Sequence, residues 1–137
     1  MERFSKANEV TFAILRIGAG LLFMFHGAQK LFGWFGGFGG TPGATAPLFS
    51  LMGLAGVLEF FGGALIVLGL LTRPVAVILT LQMLIAYGMA HMPHGPWPIL
   101  NQGEPALLFA VIFLFFATHG GGRFSLDHTL FGRSHER

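Results

Sequence analysis

The sequence predicts an all-α membrane protein, a four-transmembrane-helix bundle with two irregular outer loops. Of its 137 residues, 53% are hydrophobic and only 10% charged, whereas a soluble domain carries about 25% charged residues. Mean hydropathy is +0.69. Sixteen phenylalanines and 21 glycines point the same way, since glycine is more frequent in membrane helices than in soluble ones. Apolar stretches of spanning length alternate with loops rich in glycine and proline, which cannot continue a helix.

The polar lead over residues 1–9 feeds a first helix over about residues 10–32, long enough to cross ~30 Å of hydrocarbon, with Asn8 as its expected cap. The loop WFGGFGGTPGATAP follows, and its Trp34, Phe35 and Phe38 suit the membrane interface. A second helix is expected over about residues 48–71, with Glu59 near its midpoint. Thr72, Arg73 and Pro74 form so short a turn that helices two and three must be antiparallel neighbours. Helix three is expected over about residues 74–91, with Pro74 in its first turn, where a missing N–H costs least. MPHGPWPILNQG makes the second outer loop. Helix four, over about residues 104–118, is short for a crossing and should tilt little or sit where the bilayer thins. Glycines 120–122 end it. Arg123, Ser125 and Asp127 then suit a capped turn, in which Ser125 or Asp127 satisfies free backbone groups.

Four spans put the N-terminus, the 72–74 turn and the C-terminal tail on one side. That side holds Arg3, Lys6, Arg73, Arg123, Arg133 and Arg137, against Lys30 alone on the other. By the positive-inside rule, both termini of this multi-pass chain should be cytoplasmic, in a bacterial inner (plasma) membrane. The N-terminus does not read as a cleaved signal peptide, because Arg16 interrupts the apolar run. The absence of cysteine excludes disulfides, thiolate metal sites and thiol redox chemistry on this chain. A pI near 9.7 does not imply nucleic acid, because the basic residues are scattered singly. Residues 1–137 read as a single domain.

Chemistry-bearing residues concentrate where they are least comfortable. In LRIGAGLLFMFHGAQKLFG, Arg16, Phe23, Gly27 and Lys30 fall within about 60° on a helical wheel, and His26 lies roughly 40° further round. A charge at the bilayer centre costs at least about 2.5–3.5 kcal/mol, so this stripe must face a bundle interior or a wet cavity. Glu59 sits mid-span with Gly56 and Gly63 on its face, so a neighbouring backbone can approach closely. Three states are open to it: an ion pair with Arg16 or His26 that fixes helix register, a site for a polar headgroup or a proton, or a protonated carboxyl. His26, His91, His94 and Glu104 gather toward the outer face. Pro93 breaks the helical spacing of His91 and His94, so no metal site is assigned. Haem ligation by His26 and His91 is a geometric alternative. Thr80, Tyr87 and His91 share one face of helix three, where they would bind a quinone carbonyl, relay a proton, or bond to carbonyls of a neighbouring helix. Arg73 reads as a topology anchor. No Walker loop, GxSxG, HExxH or dinucleotide fingerprint occurs.

LRIGAGLLFMFHGAQKLFG, LEFFGGALIVLGLLTRP, NQGEPALLF and GGGRFSLD together resemble, in order and spacing, the DoxX family of small bacterial membrane proteins. The resemblance implies a four-helix membrane bundle and puts Arg16, His26, Lys30, Glu59, Arg73 and Glu104 on the family's polar positions. It also implies a place beside the quinone pool, since the family is named for likeness to a subunit of a thiosulfate:quinone oxidoreductase. Some members are associated with oxidoreductase complexes that handle thiol or oxidative stress. With no cysteine here, sulfur chemistry would need a partner's thiols or a bound substrate. The expected function is a redox-associated inner-membrane subunit whose interior pocket binds a quinone headgroup or a small anion. Arg16 and Lys30 would supply positive charge and Glu59 and His26 would exchange protons, with Tyr87, His91 and Glu104 completing the substrate contacts. A non-catalytic scaffold of an oxidoreductase complex and a small-molecule carrier are the alternatives. The expected partners are the lipid bilayer and either oxidoreductase subunits or further copies of the chain.

Overall fold

The computed structural model describes residues 2–132, so the expected cytoplasmic residues Arg133 and Arg137 lie outside the described residues. Among the described residues five helices carry the fold: α1 (Glu2–Phe32), α2 (Leu51–Leu68), α3 (Thr72–His94), α4 (Glu104–His119) and α5 (Leu126–Phe131). A single turn, Pro98–Asn101, sits in the loop between α3 and α4, and no strand occurs among the described residues. Within α1, Ser5–Phe32 is long and apolar enough to cross a membrane, as are α2 and α3; α4 is apolar but shorter. Ile14, Phe61, Ile85, Leu108 and Val111 are each more than half exposed on the outer surface, an apolar exterior of the kind that lipid solvates.

Several helix boundaries move from the expected positions. α1 starts at Glu2, not near residue 10, so Asn8 lies inside the helix and does not cap it. The lead ERFSKANE has no glycine or proline to stop it. α1 ends at Gly33, whose φ of 70° is a left-handed conformation that glycine adopts freely. α2 starts at Leu51 and not at 48, because Ser50 Oγ accepts from the Gly53 N–H at 3.1 Å, which makes Ser50 the N-cap. It stops at Leu68, three residues early, where Gly69 turns left-handed. α3 starts at Thr72, ahead of the expected Pro74, and runs on to His94. α4 matches its expected span to within one residue.

The helices pack as two pairs. α1 lies against α2 along a glycine seam. A Cβ added at Gly20 would stand 2.8 Å from Gly63 O, and one at Gly27 would stand 2.8 Å from Gly56 O and overlap the Phe60 nitrogen. Backbones therefore touch directly, as the glycines beside Glu59 suggested, and association rests on close van der Waals packing. α3 packs along α4. Phe23, Ile66, Leu79, Phe113 and Phe116, all fully buried, join the two pairs.

The end of the bundle that carries the α2–α3 turn is tied shut by polar contacts. Arg16, 2% exposed, donates Nε to Ile66 O at 3.0 Å and a terminal nitrogen to Phe124 O at 2.8 Å, with further bonds to Val67 O and Gly121 O. The guanidinium thus neutralises the carbonyl end of α2 and pins the 121–124 loop across it. Asp127 accepts from the Leu71 and Thr72 N–H groups at 2.7 and 2.9 Å, capping α3 from α5. Ser125 caps α5 itself, accepting from His128 N at 3.1 Å. Arg73 donates to Thr118 O at 2.7 Å, closing the end of α4.

Candidate functional site

At the opposite end the two pairs separate. The gap between them is a cleft of about 600 Å³, walled by the halves of α1, α2, α3 and α4 that lie away from the α2–α3 turn. Its walls are mostly apolar, with Phe23, Leu58, Met83 and Phe109 among them, while His26, Lys30, Glu59, Gln82, His91 and Gln102 supply the polar lining. Leu54, Ile78, Leu81, Ile85 and Met89 line the cleft and are at the same time about half exposed. The mouth therefore lies between α2 and α3 on the apolar flank of the bundle.

Glu59 and Lys30 form the electrostatic centre of this cleft. Lys30 Nζ donates to Glu59 Oε2 at 2.7 Å, with the two side chains 18% and 6% exposed. The partner of Glu59 is thus Lys30, and neither Arg16 nor His26. Arg16 is committed to carbonyls at the closed end and lines no part of the cleft. Glu59 stands in a π-helical segment, Leu58–Gly62, and a second such segment, Tyr87–His91, lies on the facing wall. Such widened turns insert a residue and re-aim side chains, and they are frequent at functional sites. Here one carries Glu59 and the other carries His91, both onto the cleft.

Gln82 was not singled out by the sequence reading. Its Nε2 lies 3.4 Å from Glu59 Oε1 and 3.5 Å from Ala55 O. Its Oε1 is buried and has no hydrogen-bond partner among the described residues, a state that costs about 1–3 kcal/mol. An uncharged amide in an apolar helix gives little sequence signal. Only the fold puts it beside Glu59.

The remaining expected residues divide. His26 and His91 line the cleft, and His91 Nδ1 also meets Asn101 O at 3.0 Å. Tyr87 stacks on His91 with ring centroids 6.0 Å apart, but its hydroxyl is engaged by the loop, accepting from Asn101 Nδ2 at 3.1 Å and donating to Pro96 O at 3.4 Å. Asn101, another residue the sequence reading passed over, is 4% exposed and also bonds Gly95 O and Gly103 N, which makes it the hub of the loop between α3 and α4. Thr80 bonds back to Ala76 O of its own helix. Glu104 is exposed and lines a separate groove of about 530 Å³ between α1 and α4, with Ile14, Leu22 and Leu108. His94 lies outside the cleft, its Nδ1 3.2 Å from Ala90 O. Among the described residues, no three histidine or carboxylate side chains cluster as a metal site would require.

The fold and the cleft define a small helical membrane protein with a buried ion pair facing a lipid-side opening. The DoxX family profile matches residues 11–92, which include α2, nearly all of α3 and about two thirds of α1, and the chain belongs to the DoxX family. It is 36% identical over 134 residues to an "Uncharacterized protein" of Haemophilus influenzae, covering 96% of this chain and 98% of that one. It is also 33% identical over 133 residues to "Inner membrane protein YphA" of Escherichia coli, covering 90% and 93%. No solved structure matches.

Proposed function

We propose that this chain is a redox-associated inner-membrane subunit that holds the headgroup of a membrane-dissolved quinone in the cleft between its helix pairs. The observation that carries the reading is the Lys30–Glu59 pair, set in an otherwise apolar cleft whose mouth opens on the flank that lipid would cover. A ligand that fits has a compact polar head and an apolar tail, and reaches the site sideways through the bilayer. A small anion fits less well, because the charge of Lys30 is already matched by Glu59 at 2.7 Å. In this reading α1, α2, α3 and the shorter α4 all cross the membrane. At 16 residues α4 spans about 24 Å at 1.5 Å per residue, which suits a locally thin bilayer. Arg3, Lys6, Arg73 and Arg123 then mark the cytoplasmic side, and the cleft belongs to the outer half. Lys30 donates to a headgroup oxygen, and Glu59 and His26 are the groups placed to exchange its protons.

The test is mass analysis of extracted lipid, with an absorption spectrum, on protein purified in mild detergent. A stoichiometric quinone that is lost in Glu59→Gln, with the variant still monodisperse, is the expected result. A ligand-free native protein would overturn the reading in favour of a scaffold whose chemistry belongs to its partners. A Soret band would move the site to haem held by its histidines.

A further inference from the structure

We propose that the groove between α1 and α4 holds an acyl chain of a phospholipid whose headgroup ends in a primary ammonium, with Glu104 receiving that ammonium. The proposal is independent of what the cleft binds. It gives Glu104, which the cleft leaves out, a ligand of its own.

The groove has about 530 Å³ of open volume. Its α1 wall runs from Ile14 to Leu22 and its α4 wall from Glu104 to Ile112, each about 12 Å of helix at 1.5 Å per residue. A Cβ added at Gly18, midway along the α1 wall, would meet nothing within 4 Å. Ile14, Leu22 and Leu108, also of the lining, are each more than half exposed. The result is an elongated apolar slot, of a shape that a hydrocarbon chain fills. A chain that enters it from the bilayer leaves one apolar medium for another and gains only packing. Any selectivity must come from the head.

Glu104 is the one charged residue of the lining, at the end of the slot where α4 begins. It is exposed and makes no ion pair among the described residues. A second copy of the chain does not supply the missing cation. Copies inserted with the same topology present the same end at each depth. At this end the one lysine or arginine among the described residues is Lys30, which Glu59 holds at 2.7 Å inside the cleft. His26 and His91 line the cleft as well, and no histidine lines the groove. A symmetric pair joined through this face would instead bring two Glu104 carboxylates to one level. The counter-charge therefore comes from the membrane. A primary ammonium offers three N–H donors, and a carboxylate only accepts, so one lipid of this kind meets both the slot and the charge at its end.

The test uses native mass spectrometry of the full-length protein, delipidated in mild detergent, with phosphatidylethanolamine or phosphatidylglycerol of identical chains added back. The native protein should retain one phosphatidylethanolamine per chain. Glu104→Gln should weaken that retention about fivefold, the upper range for an exposed ion pair, and leave phosphatidylglycerol unweakened. Gly18→Leu, which fills the slot, should remove the retained phosphatidylethanolamine. No retained phosphatidylethanolamine in the native protein, or Glu104→Gln weakening both lipids alike or neither, overturns the proposal. A carboxylate that served only the dipole of α4 would give the last of these. A dimer that carries no lipid also overturns it and assigns the groove to a second copy. The native readout needs no variant, so it stands even if Gly18→Leu does not fold.

Discussion

Lys30 and Glu59 hold each other across the α1–α2 seam where neither is well placed alone. Removing one partner of a buried pair leaves the other uncompensated, which costs about 3–5 kcal/mol; Lys30 is partly exposed, so Glu59→Gln should sit near the lower end. Replacing both, as Lys30→Met with Glu59→Leu, should restore most of that stability while leaving the cleft unable to hold a polar head. Thermal unfolding in detergent, followed by ligand occupancy, reads both effects. A double variant no more stable than Glu59→Gln would mean that the two charges are not energetically coupled. Arg16 answers to a different logic. Its planar fork serves carbonyls from two segments at once, which an ammonium cannot reproduce. Arg16→Lys should therefore destabilise by about 2 kcal/mol without changing what the cleft binds. Both charges were conspicuous in the sequence because an ionisable group in an apolar helix must be paired. Which partner each took was not, because Arg16 bonds to backbone carbonyls 50 to 108 positions away, and carbonyls have no sequence signature.

Among the elements, the glycine seam decides how closely α1 and α2 lie. A methyl at Gly27 has nowhere to go, since the Phe60 nitrogen and Gly56 carbonyl occupy its position, and the obstruction is backbone that cannot rotate aside. Gly27→Ala is expected to cost about 1–3 kcal/mol by forcing the helices apart. Gly18, about two and a half turns away and on the opposite face of α1, has nothing within 4 Å of its would-be Cβ, so Gly18→Ala should stabilise by up to about 1 kcal/mol through helix propensity. Chemical or thermal melts of the two variants side by side check the contrast, and equal effects would argue against direct backbone contact along the seam. The small residues on the face of Glu59 announced this seam in advance, because only glycine permits such an approach. The π-helical segments did not announce themselves. LEFFG and YGMAH carry no proline and no distinctive spacing, and the widening follows from tertiary packing that local sequence does not encode. The cap of α3 was hidden for a related reason. Its N–H groups are met by Asp127, 55 and 56 positions downstream, whereas the cap of α2, Ser50, is adjacent and could have been read directly.

Over the whole molecule, one end is locked and the other is left open, and that asymmetry leaves a cleft. Arg16, Asp127 and Arg73 cross-link the helix ends around the α2–α3 turn, while the packed phenylalanines at 23, 113 and 116 close the middle. Beyond them the cleft opens between the α1–α2 pair and the α3–α4 pair, on a different flank from the groove between α1 and α4. Hydropathy alone marks which segments are helices, but it cannot say that two helices joined by a tight turn diverge at their far ends. The consequence is that the cleft can be filled without disturbing the locked end. Ala86 lines the cavity from α3, half-buried and facing open volume. Ala86→Trp should occupy that volume with an apolar ring, displace a bound headgroup, and lower ligand occupancy at least about tenfold if the ligand holds the same space. Because the ring enters an existing void, the melting temperature should stay within a few degrees of the parent, unlike that of Gly27→Ala. Loss of ligand with stability preserved would place the binding volume between the helix pairs and not on an outer loop. Full occupancy in the filled variant would move the ligand out of this cleft, leaving the Lys30–Glu59 pair a purely structural tie between α1 and α2.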